Sequence, residues 1–271
     1  MNIIWRLFAI FKKDLSLAIS YKGSFISQFF GGIFQILLFF FISDYINVLS
    51  VGDSNSIEEN YFVYVVLGIC FIEIMSTVVR ATPMEISNLK NSGILEEIMQ
   101  LPSGYIILLF GSNLYPVFIS LIKITIYLSV AFVLSGESLF SLQYIFPFVL
   151  TLITFIFSLI FIGFVGAAYT LLFFKAGLIS SIFIGFSIFL GEAFFPSNLF
   201  FEPIQKLSNL TTLTPSLSNF RMIISSQFDS YLFLRNLAHI LVLSLAYGLV
   251  ALVSLKYSIK FAKKNGTLLH Y

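Results

Sequence analysis

Charge is what this chain has least of. Asp, Glu, Lys and Arg make up 10% of its 271 residues, against about 25% in soluble domains. A surface so poor in charge cannot enclose an ordinary soluble domain. Cysteine is nearly absent too: Cys70 stands alone, which excludes an internal disulfide. The two histidines, His239 and His270, lie far apart, and no His, Cys and carboxylate residues cluster at zinc-ligand spacing. There is no phosphate-cradling G-x-x-x-x-G-K-S/T run and no G-x-S-x-G elbow. No cofactor, metal site or hydrolytic centre is therefore expected, and the chain is not expected to hydrolyse ATP itself. The net charge of +2 is too small to point to a nucleic-acid partner.

What fills the chain is apolar. Hydrophobic residues make up 58%, 34 of them Phe, and the mean hydropathy is +0.98. The apolar runs reach the roughly 20 residues needed to cross a bilayer. Six spans are expected near Phe25–Ile46, Tyr61–Ala81, Ile106–Leu134, Leu142–Phe174, Ala176–Phe195 and Leu237–Lys256, with Pro116 and Pro147 as sites of kinking. The expectation is thus an all-α integral membrane protein forming a single domain over residues 1–271.

Three segments do not read as spans. Residues 1–22 do not resemble a cleaved secretory signal, because the basic residues follow the apolar ones. Within them Ile3–Ile19 places Ile3, Ile4, Leu7, Phe8, Ile10, Phe11, Leu15 and Ala18 on one side and Arg6, Lys12, Lys13 and Ser16 on the other. That pattern fits an amphipathic helix lying in the membrane interface, the alternative being a first span that starts early. Met84–Pro102 is too polar to span but strongly patterned. Ile86, Leu89, Ile94, Leu95, Ile98 and Leu101 can share one side of a short helix, with Glu85, Asn88, Lys90, Glu96, Glu97 and Gln100 mainly elsewhere. Gly93 breaks or re-aims it and Pro102 ends it. Such a segment needs an apolar partner, either lipid or another protein, and a docking element for a separate motor subunit is expected. The third segment, 194–236, carries Pro196, Pro203 and Pro215 and reads as re-entrant or interfacial helices.

Lys and Arg placement orients the chain. With the N-terminus cytoplasmic, eleven basic residues fall inside, Lys206, Arg221 and Arg235 fall outside facing water or headgroups, and Lys123 lies within a span. The loop 47–60 has three acids and no base, which suits the outside. Both termini and 84–102 are then cytoplasmic and the protein belongs in the cell membrane.

Two ionisable residues fall within spans. Glu73 is twelve residues past Tyr61 and Lys123 is eleven before Leu134, so both lie roughly 16–18 Å from the outer boundary. Their matching depth predicts an ion pair, either a packing device or a polar point on a substrate path. Glu192, with Phe194, Phe195 and Pro196, is a candidate outer gate or a solvated interfacial acid. Gly31–Gly32 and the Gly163, Gly166, Ala167 and Ala168 set permit close helix contact, within the chain or across a dimer seam.

Four features together resemble the type-2 permeases of ATP-binding-cassette exporters. They are the N-terminal amphipathic run RLFAIFKKDLSLAISYKGSFISQFFG, and SGILEEIMQLPSGYIILLFGSNL, similar to the family's G-T/I-L-E…P stretch at Gly93, Leu95, Glu96 and Pro102. With them go GEAFFPSNLF at the end of span five, and Pro215 followed by Arg221. The resemblance implies a homodimer or heterodimer of permeases with two separate ATPase subunits. It implies a coupling helix in which Gly93, Ile94, Leu95, Glu96 and Glu97 dock the ATPase, with residues near Trp5–Ser20 contacting it as well. It also implies outward movement of a drug-like, lipid or lipid-linked cargo. The competing readings are an ion-gradient-driven secondary transporter, a membrane-embedded assembly subunit and a lipid-modifying enzyme.

Overall fold

A computed structural model of the chain describes residues 3–49, 61–101, 104–135, 144–173, 177–194, 201–225 and 228–265. Among them there are ten helices and no strand: α1 (Ile3–Ser20), α2 (Lys22–Leu49), α3 (Tyr61–Asn91), α4 (Leu95–Gln100), α5 (Gly104–Ser135), α6 (Ile145–Phe173), α7 (Leu178–Leu190), α8 (Glu202–Ser208), α9 (Leu213–Ile224) and α10 (Ser230–Asn265). Five of these, α2, α3, α5, α6 and α10, are long and apolar enough to cross a membrane. The chain is a multi-pass, all-α membrane protein.

Helix α3 is the centre of the bundle. It packs against α2, α5, α6, α7 and α9, and Val65, Ile74, Val78 and Val79 have essentially no exposed surface. A β-branched run would be a poor helix former in water, but a bilayer forces every backbone amide to pair within its own segment, and that constraint overrides propensity. Close approach is bought with small residues. A Cβ on Gly68 would overlap the Ala193 carbonyl, and one on Gly166 would meet Pro83 and Ser180. Gly32 lies against the Tyr127 ring of α5. The small-residue surfaces at Gly32, Gly163 and Gly166 thus serve packing within the chain, while a Cβ on Gly31 would meet nothing.

The largest departure from expectation is at span five. Continuous helix was expected over Ala176–Phe195, but α7 has only 13 residues. It starts after Gly177, held at φ +77°, and ends at Gly191, whose Cβ would strike Leu213 and the Ser187 carbonyl. At 1.5 Å per residue α7 rises about 20 Å, short of the roughly 30 Å hydrocarbon core. Helices α8 and α9 follow in the proline-bearing segment. Several of their polar groups pair with the bundle: Tyr247 Oη donates to the Leu210 carbonyl at 2.5 Å, Ser158 Oγ to Thr212 Oγ1 at 3.1 Å, and Asn236 Nδ2 to Asn219 Oδ1 at 2.9 Å. Non-helical backbone at membrane depth requires this kind of internal pairing.

Prolines also fall differently from expectation. Pro116 is inside α5, but Pro147 sits in the first turn of α6, where a missing amide costs little. The interior proline of consequence is Pro83 in α3. It cannot donate to the Val79 carbonyl four residues back, and Ser180 Oγ of α7 donates to that carbonyl instead, at 3.2 Å.

Candidate functional site

The end of the bundle that carries α1 and α4 is built around the tip of α3. The expected separate helix beginning at Met84 does not exist. Met84–Asn91 continues α3 without a break, so one helix of 31 residues contains both the apolar span and the first half of the docking segment. It measures about 46 Å, longer than the hydrocarbon core. Gly93 ends it. Gly93 sits at φ +74°; its amide donates to the Lys90 carbonyl at 3.1 Å, and the Ile94 amide donates to the Leu89 carbonyl at 3.1 Å. That paired 5→2 and 6→1 pattern is the Schellman motif, with glycine at the left-handed position.

Helix α4 then turns back over the bundle. Leu95 is fully buried, in a cluster with Ile86, Leu109, Phe164 and Leu171, and Ile98 and Met99 pack beside it. Glu96 and Glu97 fall in the first turn, where the helix dipole favours negative charge. Gly93, Ile94, Glu97, Gln100 and Leu101 are exposed and Glu96 half-buried. Of the five residues proposed for docking, four reach the surface in part, and Leu95 is the anchor beneath them. Pro102 lies outside the described residues.

A third support was not foreseen. Lys90, grouped with the polar side of the segment, is buried, and its Nζ donates to the Leu171 carbonyl at 3.2 Å. A cation on the C-terminal carbonyls of α6 is favoured by the helix dipole. No sequence spacing links residues 90 and 171, so nothing local signals the contact. Helix α1 closes the structure: Phe11 meets Phe118 edge-on at 5.5 Å, and Lys13 Nζ lies 3.1 Å from Glu85 Oε1 and 3.2 Å from Asp14 Oδ1. Burial opposes the Lys13 charge, but its bonds to Glu85 and Asp14 outweigh that and hold its pKa above the ordinary lysine value; burial raises that of Asp14. Between α1, the tip of α3, α4 and the start of α5 lies an open groove of about 640 Å³, apolar along Ile10, Leu89, Ile94 and Ile98, with Arg6, Lys13 and Glu85 at its edge.

Gly93→Ala is expected to cost about 1 kcal/mol, because an L side chain in the left-handed region is strained even where space is open. Thermal unfolding in mild detergent measures it. Gly177→Ala, at φ +77° and equally open, should behave alike.

In the bundle interior, Lys123 Nζ is 2.5 Å from Glu73 Oε1, and Thr77 Oγ1 lies 3.4 Å from the same oxygen. At the opposite end, Glu192 is in the left-handed region at φ 57°. Its carbonyl, rather than its carboxylate, accepts from Tyr64 Oη at 3.0 Å and from an Arg221 Nη at 2.7 Å. The Arg221 guanidinium lies 3.3 Å from the Tyr64 ring centroid. Arg221 therefore does not face open water: burial pushes its pKa down to about 10, with Tyr64 and Glu192 acting in the opposite direction. Phe194 stacks on Phe39 at 5.5 Å; Phe195 and Pro196 lie outside the described residues. Among the described residues no group of His, Cys, Asp and Glu converges as metal ligands do.

No protein-family model matches the chain, and no curated protein matches it significantly.

Proposed function

We propose that the chain is the membrane-spanning subunit of an ATP-driven exporter, moving a hydrophobic or amphipathic cargo outward with a separate ATPase as motor. The observation that carries this reading is that Met84–Asn91 prolongs the central helix α3 and that α4 is anchored on its tip through Leu95. Helix α3 runs from the bundle centre to Asn91, the next segment exposes Ile94, Glu97 and Leu101, and Leu95, Lys90 and the Gly93 cap fix that segment to the bundle. A push on α4 is transmitted to α3, and through it to every helix that α3 touches. The absence of a phosphate-binding loop from the sequence fits a motor on another chain, and the resemblance of SGILEEIMQLP to the coupling stretch of type-2 permeases points the same way. In this reading α1 and α4 are cytoplasmic, α8 and α9 are on the outer side, and two permeases face each other with two ATPases beneath.

The test is purification of the tagged chain from its source membranes in mild detergent, with the Glu96→Arg, Glu97→Arg double variant alongside. An ATPase subunit near one copy per permease should accompany the parent chain. The double variant should lose it at unchanged permease level, together with the bound ATPase activity. A chain that returns alone and inactive overturns the proposal. Weight then passes to ion-gradient-driven transport, for which the half-exposed Glu73 carboxylate inside a span is the favouring observation.

A further inference from the structure

Helices α5 and α10 both pack on α6 and leave a groove between them, floored by Phe161 and Phe164. Its volume is about 220 Å³, below the roughly 300–1,000 Å³ of pockets that enclose drug-sized molecules. The groove is narrow and apolar: Phe110, Gly248 and Leu252 line its length. Gly248 keeps it open, because a Cβ there would lie 3.4 Å from the Phe161 ring and any larger side chain would project into the gap. One end is different. Tyr105, in the first turn of α5, and Lys256 of α10 stand at the mouth on the α4 side. Lys260 and Lys264 follow Lys256 at four-residue intervals, so the three share one face of α10. All three are exposed, and α10 contains no acidic residue.

We propose that this groove binds one anionic phospholipid, with an acyl chain between α5 and α10 and the phosphate on Lys256 and Lys260. Charge complementarity decides the occupant. A zwitterionic lipid fills the apolar groove equally well but gains less from Lys256 at its mouth and from Lys260 and Lys264 on the turns beyond it. A juxtamembrane lysine near an anionic headgroup is worth about fivefold in binding. The site depends on the membrane-spanning reading of the chain but not on the identity of any motor or cargo.

The experiment uses the full chain, with whatever subunits accompany it, extracted in mild detergent. Phosphatidylglycerol and phosphatidylcholine of the same acyl composition are added in equal amounts, and retained lipid is counted by native mass spectrometry. The parent chain should retain phosphatidylglycerol at least tenfold over phosphatidylcholine. Lys256→Gln with Lys260→Gln should lower that preference by tenfold or more, and Lys256→Arg with Lys260→Arg should keep it. Gly248→Leu should release the lipid with the lysines intact. Leu252→Trp, at a position 56% exposed, does the same without touching the core, so a folding defect in Gly248→Leu does not decide the matter. Equal retention of both lipids by the parent overturns the site. Loss in the lysine variant without loss in either groove variant overturns the groove, reducing it to surface attraction.

Discussion

Glu73→Ala is expected to destabilise the folded chain by about 3 kcal/mol, and Lys123→Met by somewhat less. The order follows from enclosure. The Lys123 side chain is 7% exposed and that of Glu73 is 26% exposed, so removal of the acid strands the more deeply buried charge. A lone charge at mid-bilayer costs about 2.5–3.5 kcal/mol on insertion scales, and breaking a buried pair by deleting one partner costs about 3–5 kcal/mol. Lys123→Met leaves Glu73 with the Thr77 hydroxyl as a remaining neighbour. The double variant Glu73→Ala, Lys123→Met should recover most of the loss, because it leaves no charge unpaired. Unfolding in mild detergent, arranged as a double-mutant cycle, measures the coupling. The same proteins separate two roles. If the pair fixes helix packing, the double variant keeps transport. If Glu73 relays protons, the double variant is stable and inactive. Additive single-variant losses, with no recovery in the double, would sink the ion pair in both roles.

Four-residue periodicity and matched depth made much of this molecule legible. Five of the six expected spans coincide with long apolar helices, because a bilayer forces backbone amides in such runs to pair within the segment, and Ile3–Ile19 coincides with α1 through its amphipathic pattern. The failure at span five is instructive. Ala176–Phe195 is apolar throughout, and composition cannot distinguish a full span from a short helix that ends at depth. Gly177 at positive φ and the crowding of Gly191 against Leu213 set its ends, and the second is a tertiary contact. Met84–Pro102 departs from expectation in one respect, its separation from the preceding span. Its polarity suggested a break from the preceding span, yet Pro83 is accommodated inside α3 because α7 supplies Ser180 to the carbonyl it frees. Gly93 was recognisable as a breaker; that it would build a Schellman cap and aim Leu95 into the core was not. Glu192 was chosen for its carboxylate, whereas its backbone carbonyl makes the contacts. Only three-dimensional neighbours reveal that substitution of roles.

Arg221→Ala is expected to cost about 3 kcal/mol, and to loosen the α9 end of the bundle rather than the α4 end. Arg221 does two jobs at once. Its guanidinium lies over the Tyr64 ring, a contact worth about 2 kcal/mol or more when desolvated. It also donates to the Glu192 carbonyl at 2.7 Å, and hydrogen bonds from charged groups contribute about 1.5–3 kcal/mol. The cost of burying the cation offsets part of this; with a pKa near 10 it remains charged at neutral pH. Tyr64→Phe removes the hydroxyl donor to the same carbonyl but keeps the ring, so it should cost about 1 kcal/mol. Tyr64→Leu removes both and should approach Arg221→Ala. Arg221→Lys should recover only part of the loss, since an ammonium can meet the ring or the carbonyl but lacks the planar fork that serves both. Hydrogen exchange locates the effect: protection of the amides at 191–194 and in α9 should fall in Arg221→Ala, while the amides of α4 stay protected. The chain on either side of Glu192 is also held, by Gly191 against Leu213 with its amide on the Ser187 carbonyl and by Ala193 against Gly68. Phe194 rests on Phe39, so the contacts of Arg221 and Tyr64 with the Glu192 carbonyl add to a turn anchored at both ends. Equal costs for Tyr64→Phe and Arg221→Ala would mean that the hydroxyl, not the cation, secures this turn. Exchange that quickens along all of α3 would mean that Arg221 supports the whole bundle, because α3 packs against α2, α5, α6, α7 and α9.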